Sequence, residues 1–154
     1  MDILMGIGNT LRCDDGIGPY IARHMQGGSS FLSLDCGTVP ENFTAVVRKN
    51  RPLLLLLVDA ADMGLSSGEF RTIHKDHIKD VSIGTHQLPL SYLIDFLSDS
   101  CEKILFIGIQ PGTIADGESL SDEVLAGSDM LIKIIERGEF DTIQPFVPIK
   151  RAST

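Results

Sequence analysis

Two neighbouring carboxylates, Asp14 and Asp15, follow the glycine-punctuated segment Gly6-Ile7-Gly8-Asn9-Thr10-Leu11-Arg12-Cys13 and precede Gly16-Ile17-Gly18-Pro19. A further carboxylate, Asp59, comes directly after an unbroken apolar run, and a histidine, His86, stands in Gly84-Thr85-His86-Gln87-Leu88-Pro89-Leu90. Two carboxylates and one imidazole make an open ligand set for a divalent first-row metal if the fold brings them to one crevice. The glycine segment also invites a nucleotide-binding reading. Leu11, however, occupies the third glycine position of Gly-x-Gly-x-x-Gly, and no Gly-Lys-Ser/Thr follows. Two acids at a helix entrance repel the anion that a helix N-terminus otherwise attracts, so a cation suits this place better.

Each of these residues also has a plainer use. Asp14 or Asp15 can cap the helix that follows, with Pro19 in its first turn. Asp59 can be a turn carboxylate bonded to local backbone N–H groups, and His86 an ordinary surface or capping residue. Gly16 and Gly18 weaken helix formation, which implies that something approaches the backbone closely there. His24, His74 and His77 lack a comparable setting and read as solvent-facing. Cys13 has no paired histidine evident in sequence, which disfavours cysteine-protease chemistry. Cys13, Cys36 and Cys101 are odd in number and form no Cys-x-x-Cys, so they read as reduced structural thiols.

The elements that must position these groups follow from periodicity. Residues 3–7 form a β-rich run, then a loop, then a helical pattern through Ile21, Ala22 and Met25 that Gly27-Gly28 stops. Residues 31–36 predict a second strand, Pro40 to Val47 a second helix, and Asn50-Arg51-Pro52 a break. The short, continuously apolar run 53–58 has the pattern of a strand buried on both faces of a parallel sheet, with Asp59 at its C-terminal end. Residues 69–74 predict a short extra strand, 88–97 a helix, 103–108 a strand, and 120–135 a long amphipathic helix ended by Gly138. Alternation of this kind implies βαβ units: an α/β fold in three layers, a twisted, mostly parallel sheet with helices on both faces. In such folds ligands bind beyond the carboxyl ends of the strands, where Asp15, Asp59 and His86 are expected.

The chain reads as a single domain, 1–154, with a loosely ordered tail over 144–154. The formal net charge of −8 argues against a grip on nucleic acid, which needs lysine and arginine to neutralise phosphates. The apolar run 53–58 is far short of the ~20 residues that span a bilayer, and the N-terminal residues lack a secretory pattern, so a cytoplasmic protein without a membrane segment is expected.

The motifs Gly6-Ile7-Gly8-Asn9, Asp14-Asp15-Gly16-Ile17-Gly18-Pro19, Val58-Asp59-Ala60 with Asp62-Met63-Gly64, Thr85-His86-Gln87-Leu88-Pro89-Leu90 and Gly108-Ile109-Gln110-Pro111 together resemble the [NiFe]-hydrogenase maturation endopeptidases, in particular the branch that processes hydrogenase 3. The resemblance covers roughly residues 2–138 and weakens beyond Pro111. It implies a nickel-dependent endopeptidase that removes the C-terminal extension of the hydrogenase large-subunit precursor, with nickel carried by that precursor and bound transiently. It also implies that Asp15, Asp59 and His86 bind the metal; as catalytic residues they would act either with the ion polarising the scissile carbonyl or lowering the pKa of a bound water while a carboxylate is general base, or with a purely recognitional ion and Asp14, Asp15 or Asp59 activating water unaided. The alternative of a different class is a non-proteolytic nickel-checkpoint protein that binds the same precursor without cutting it.

Overall fold

A computed structural model of the chain describes residues 1–28, 30–84 and 89–149. Its six strands are β1 (Asp2–Ile7), β2 (Phe31–Gly37), β3 (Leu54–Asp62), β4 (Phe70–Thr72), β5 (Ser82–Ile83) and β6 (Lys103–Ile109). The α-helices are α1 (Ile17–Met25), α2 (Thr44–Asn50), α3 (Leu90–Leu97) and α4 (Asp122–Arg137). The sheet runs β2-β1-β3-β6-β4, with β5 added to β3. Pairing is parallel among β2, β1, β3 and β6, while β4 lies antiparallel on β6 and β5 antiparallel on β3. The mostly parallel α/β sheet expected from the alternating pattern is the one observed.

Strand alternation sorts the core into two layers. Ile3, Met5, Ile7, Leu55, Leu57, Ala61 and Phe106 pack with Val47 of α2 and with Leu90, Leu93, Ile94 and Leu97 of α3. Leu4, Leu56, Val58, Ile107 and Ile109 pack on the opposite face with Ile17, Ile21 and Met25 of α1 and with Val124, Leu131 and Ile135 of α4. Leu55, Leu56, Leu57 and Val58 are all fully buried, as a strand covered on both faces requires. Each such side chain contributes roughly 1.5–3 kcal/mol by leaving water.

Several boundaries differ from those the sequence suggests. The predicted second helix divides into a 3-10 turn, Pro40–Phe43, and α2, which ends where Arg51 adopts a left-handed conformation ahead of Pro52. Pro89 stands as the N-cap of α3 in an extended conformation instead of in its first turn. The tail expected to be loose over 144–154 is docked at its start: Thr72 N–H donates to the Gln144 carbonyl and Phe146 N–H to the Thr72 carbonyl, so residues 144–146 cover the outer side of β4, while 150–154 lie outside the described residues. An edge strand of three residues gains ladder partners that way.

The chain goes from β1 through α1 on one face to β2, then through α2 on the other face to β3, which lies on the far side of β1. The carboxyl ends of β1 and β3 therefore flank a topological switch point, the place where an open α/β sheet leaves a crevice.

Candidate active site

Asp15 lies in the 3-10 turn Cys13–Gly16, which links the β1 loop to α1. It is 4% exposed. Its Oδ2 accepts the Asn9 N–H at 3.0 Å, while its buried Oδ1 has no hydrogen-bond partner among the described residues. A carboxylate oxygen removed from water with an open lone pair is costly unless something else reaches it.

Backbone contact fixes the entrance of α1, just after the turn that carries Asp15. A Cβ on Gly18 would come 2.2 Å from the Ile7 carbonyl oxygen and 2.6 Å from that of Val58, and one on Gly6 would come 2.2 Å from the Gly18 carbonyl oxygen. The entrance of α1 thus sits directly on the end of β1 and on the middle of β3, an approach only hydrogen in place of a side chain allows. The close approach implied by Gly16 and Gly18 is real. Its cause is strand–helix packing at Gly18 and the loop backbone at Gly16, where a Cβ would come 2.8 Å from Thr10 Cα, and the two account for the glycine spacing without a phosphate.

Asp14 and Asp15 have opposite fates. Neither caps α1, whose N-cap is Gly16 without a side-chain bond, so the capping expectation is overturned. The fully buried Asp14 reaches across to the segment after β6. Its Oδ2 accepts Gly112 N–H (2.9 Å), Thr113 N–H (2.8 Å) and the Ser121 hydroxyl (2.8 Å), and its Oδ1 accepts Ser121 N–H (2.7 Å). Burial alone would raise its pKa, but the bonds from Ser121, Thr113 and Gly112 prevail and hold it below the usual carboxylate value. Asp14 anchors the loop that leads into α4.

Asp59 is fully buried. The sequence places it at the end of its strand or in a turn; in the structure it lies inside β3, paired in register with Gly108, and the strand continues to Asp62. The extension exists because β6 supports it as far as Ala60 and β5 pairs with Ala61 and Asp62. By alternation Asp59 shares its face with Leu57 and Ala61, the face covered by α3. The turn role suggested for Asp59 belongs to Asp62, whose Oδ1 accepts Gly64 N–H at 3.1 Å and the Gln110 Nε2 donor at 3.1 Å. The Gln110 bond, then that of Gly64, lowers the pKa of Asp62.

His86 lies outside the described residues, with Thr85, Gln87 and Leu88. The described chain reaches Gly84 immediately before them, and Gly84 lies against the Asp15 carboxylate: a Cβ there would be 2.5 Å from Oδ1 and 3.2 Å from Oδ2. Among the described residues no group of three His, Cys, Asp or Glu side chains could by itself hold a metal ion. His24 and His74 are exposed, as expected, whereas His77 is half-buried with Nδ1 3.2 Å from Asp80. Gln110 at the end of β6 is a buried polar residue that spacing alone did not single out beyond its place in a motif. Its signal in sequence is a polar side chain straight after the run 103–109, the same placement that Asp59 has after the apolar run 53–58.

Two buried carboxylates thus stand near the switch point, Asp15 in the turn after β1 and Asp59 within β3. The chain belongs to the hydrogenase maturation protease family, whose model matches residues 19–138. The hydrogenase 3 maturation protease of Escherichia coli (strain K12) is 40% identical over 116 residues, covering 73% of this chain and 74% of that protein. Among solved structures, the crystal structure of the hydrogenase 3 maturation protease matches with a TM-score of 0.87 at 32% identity, over 96% of this chain and 97% of that one. The [NiFe] hydrogenase maturation protease HycI from Thermococcus kodakarensis KOD1 matches with a TM-score of 0.76 at 29% identity, over 88% of this chain and 90% of that one. Among the described residues no helix is long and apolar enough to cross a membrane.

Proposed function

We propose that this maturation protease removes the C-terminal extension of a [NiFe]-hydrogenase large-subunit precursor only after nickel has been inserted, and that it does so in the cytoplasm. The nickel belongs to the substrate. Asp15 and Asp59, with His86, supply oxygen and nitrogen ligands to the open position of an ion already held by the precursor's thiolates. The observation that carries this reading is the Asp15 carboxylate, buried at the switch point, with one oxygen lacking a partner among the described residues and Gly84 pressed against it.

The same chemistry accounts for selection of loaded precursor. Without an ion, buried carboxylates have no cation to offset their desolvation, and an empty precursor is not held. With the ion docked, the scissile carbonyl is polarised and a carboxylate takes the proton of the attacking water as general base. The three free cysteines suit a reducing compartment.

The test is to incubate the enzyme with nickel-loaded and nickel-free precursor and weigh the products. Loss of the C-terminal peptide from the loaded form alone is expected, and His86→Ala and Asp59→Asn abolish it while the fold persists. Equal trimming of both forms would refute nickel dependence, and unchanged trimming by either variant would remove that residue from the site. Free nickel should not turn the isolated enzyme on casein; vigorous cleavage would argue against a substrate-borne ion.

A further inference from the structure

The motif Gly108-Ile109-Gln110-Pro111 closes β6, and its glutamine plays no part in the metal reading. Gln110 is 7% exposed, and both polar atoms of its side chain are engaged. Oε1 accepts the N–H of Met63 at 2.7 Å and that of Leu65 at 3.2 Å. Nε2 donates to Asp62 Oδ1 at 3.1 Å and to the Pro111 carbonyl at 3.4 Å. The Gln110 main chain adds two bonds, its N–H to the Glu69 carbonyl (2.8 Å) and its carbonyl from Gly68 N–H (2.9 Å). One residue at the end of β6 thus holds both ends of the 62–69 loop. An amide suits the position because it accepts twice on one atom and donates twice on the other without adding charge beside Asp62 and Glu69.

That loop is connected to the crevice. Ala61 and Asp62, at the end of β3, pair with Ile83 and Ser82 of β5. The next residue, Gly84, lies against the Asp15 carboxylate. Asp59 sits within the strand that this pairing extends. We infer that Gln110 is a positioning residue for the reaction: by clamping the 62–65 turn it keeps β3 and β5 paired, and so sets the chain at Gly84 against Asp15 beside the strand that carries Asp59. The kinetic consequence rests on the function proposed above; the structural half does not.

Gln110→Glu tests it by replacing the donor to Asp62 with a carboxylate. Single-turnover trimming of nickel-loaded precursor should slow about tenfold at neutral pH, with KM moving less than about twofold, because contacts to the substrate are untouched. Amide exchange over residues 61–65 and 82–84 should quicken by about tenfold or more. Adding Asp62→Asn restores a donor on the other side of the pair and should return both rate and exchange toward wild type. If Gln110→Glu does not fold, Gln110→Met keeps the volume, removes the four side-chain bonds and should show the same exchange and rate changes. Wild-type exchange and kcat in the folded variant, or a Gln110→Glu defect that Asp62→Asn leaves in place, would overturn the inference. Should the wild-type enzyme itself leave nickel-loaded precursor uncut, the proposed function falls, and the exchange measurements alone still decide the role of Gln110.

Discussion

Asp14 binds Ser121 twice, taking its main-chain N–H at 2.7 Å and its hydroxyl at 2.8 Å across a sequence separation of 107 residues. Ser121 is the N-cap residue of α4, so the carboxylate joins the entrance of α1 to that of α4. With every oxygen of Asp14 engaged in this way, the neighbouring Asp15 is the acid whose buried Oδ1 has no hydrogen-bond partner among the described residues.

Asp14→Asn should therefore be a stability variant. An amide retains one acceptor and turns an NH2 group toward donors, leaving buried N–H groups unsatisfied at a loss of about 2–4 kcal/mol. Urea denaturation at pH 7 measures the loss, and a change under about 0.5 kcal/mol would contradict the anchoring role.

The same variant has a pH signature. The folded-state pKa of Asp14 lies below its ordinary value of 3.8, so its contribution is fully present above that value and is lost as pH falls toward the folded one. The stability gap between wild type and Asp14→Asn should be flat from about pH 5 to 8 and narrow below about pH 4. A gap that instead widens on acidification would reverse the assigned sign.

Asp15→Asn should separate stability from activity in the opposite sense. The variant keeps the acceptor for Asn9 N–H and removes a buried charge, so stability should stay within about 1 kcal/mol of wild type or rise. Trimming should fall by about a hundredfold or more, since a neutral amide is a poor metal ligand and no base. Parallel melting and precursor-cleavage assays read the two effects.

Gly84→Ala places a methyl group within 2.5 Å of Asp15 Oδ1. The contact is with a side-chain end, so the Asp15 carboxylate must shift to make room, and we expect trimming to drop at least about tenfold with circular dichroism unchanged. Wild-type kinetics in this variant would show that Gly84 does not set the Asp15 rotamer.

Gly18→Ala should damage the fold itself. Its methyl group would meet the carbonyl oxygens of Ile7 and Val58, backbone atoms of two central strands. Denaturation should show a loss of about 3 kcal/mol or more, at the upper end of overpacking effects.

Much of this architecture is legible in the residues because it depends on local patterning. The leucine run before Val58 has the length and pattern of a strand buried on both faces more than of a helix segment, and from Leu54 on it forms the first half of β3. Gly138 adopts the left-handed conformation that ends α4, at the residue where helical periodicity stops. What local pattern misses is support from distant segments. Asp59 reads as the end of a strand because the apolar run stops before it, yet β6 and β5 carry the strand on to Asp62. Cross-strand partners twenty or more residues away leave no trace in a short window.

From its sequence alone this chain is determined as a mostly parallel α/β protein with acids placed after its strands, because period, turn residues and charge act over a few neighbouring positions. The division of labour between Asp14 and Asp15 was decided only in three dimensions. Adjacent and chemically identical, they differ because the turn points one carboxylate at the N–H groups of Gly112, Thr113 and Ser121 and the other at Asn9 N–H and Gly84. A carboxylate's role follows from the donors within about 3 Å of it, and only the folded chain brings those donors there.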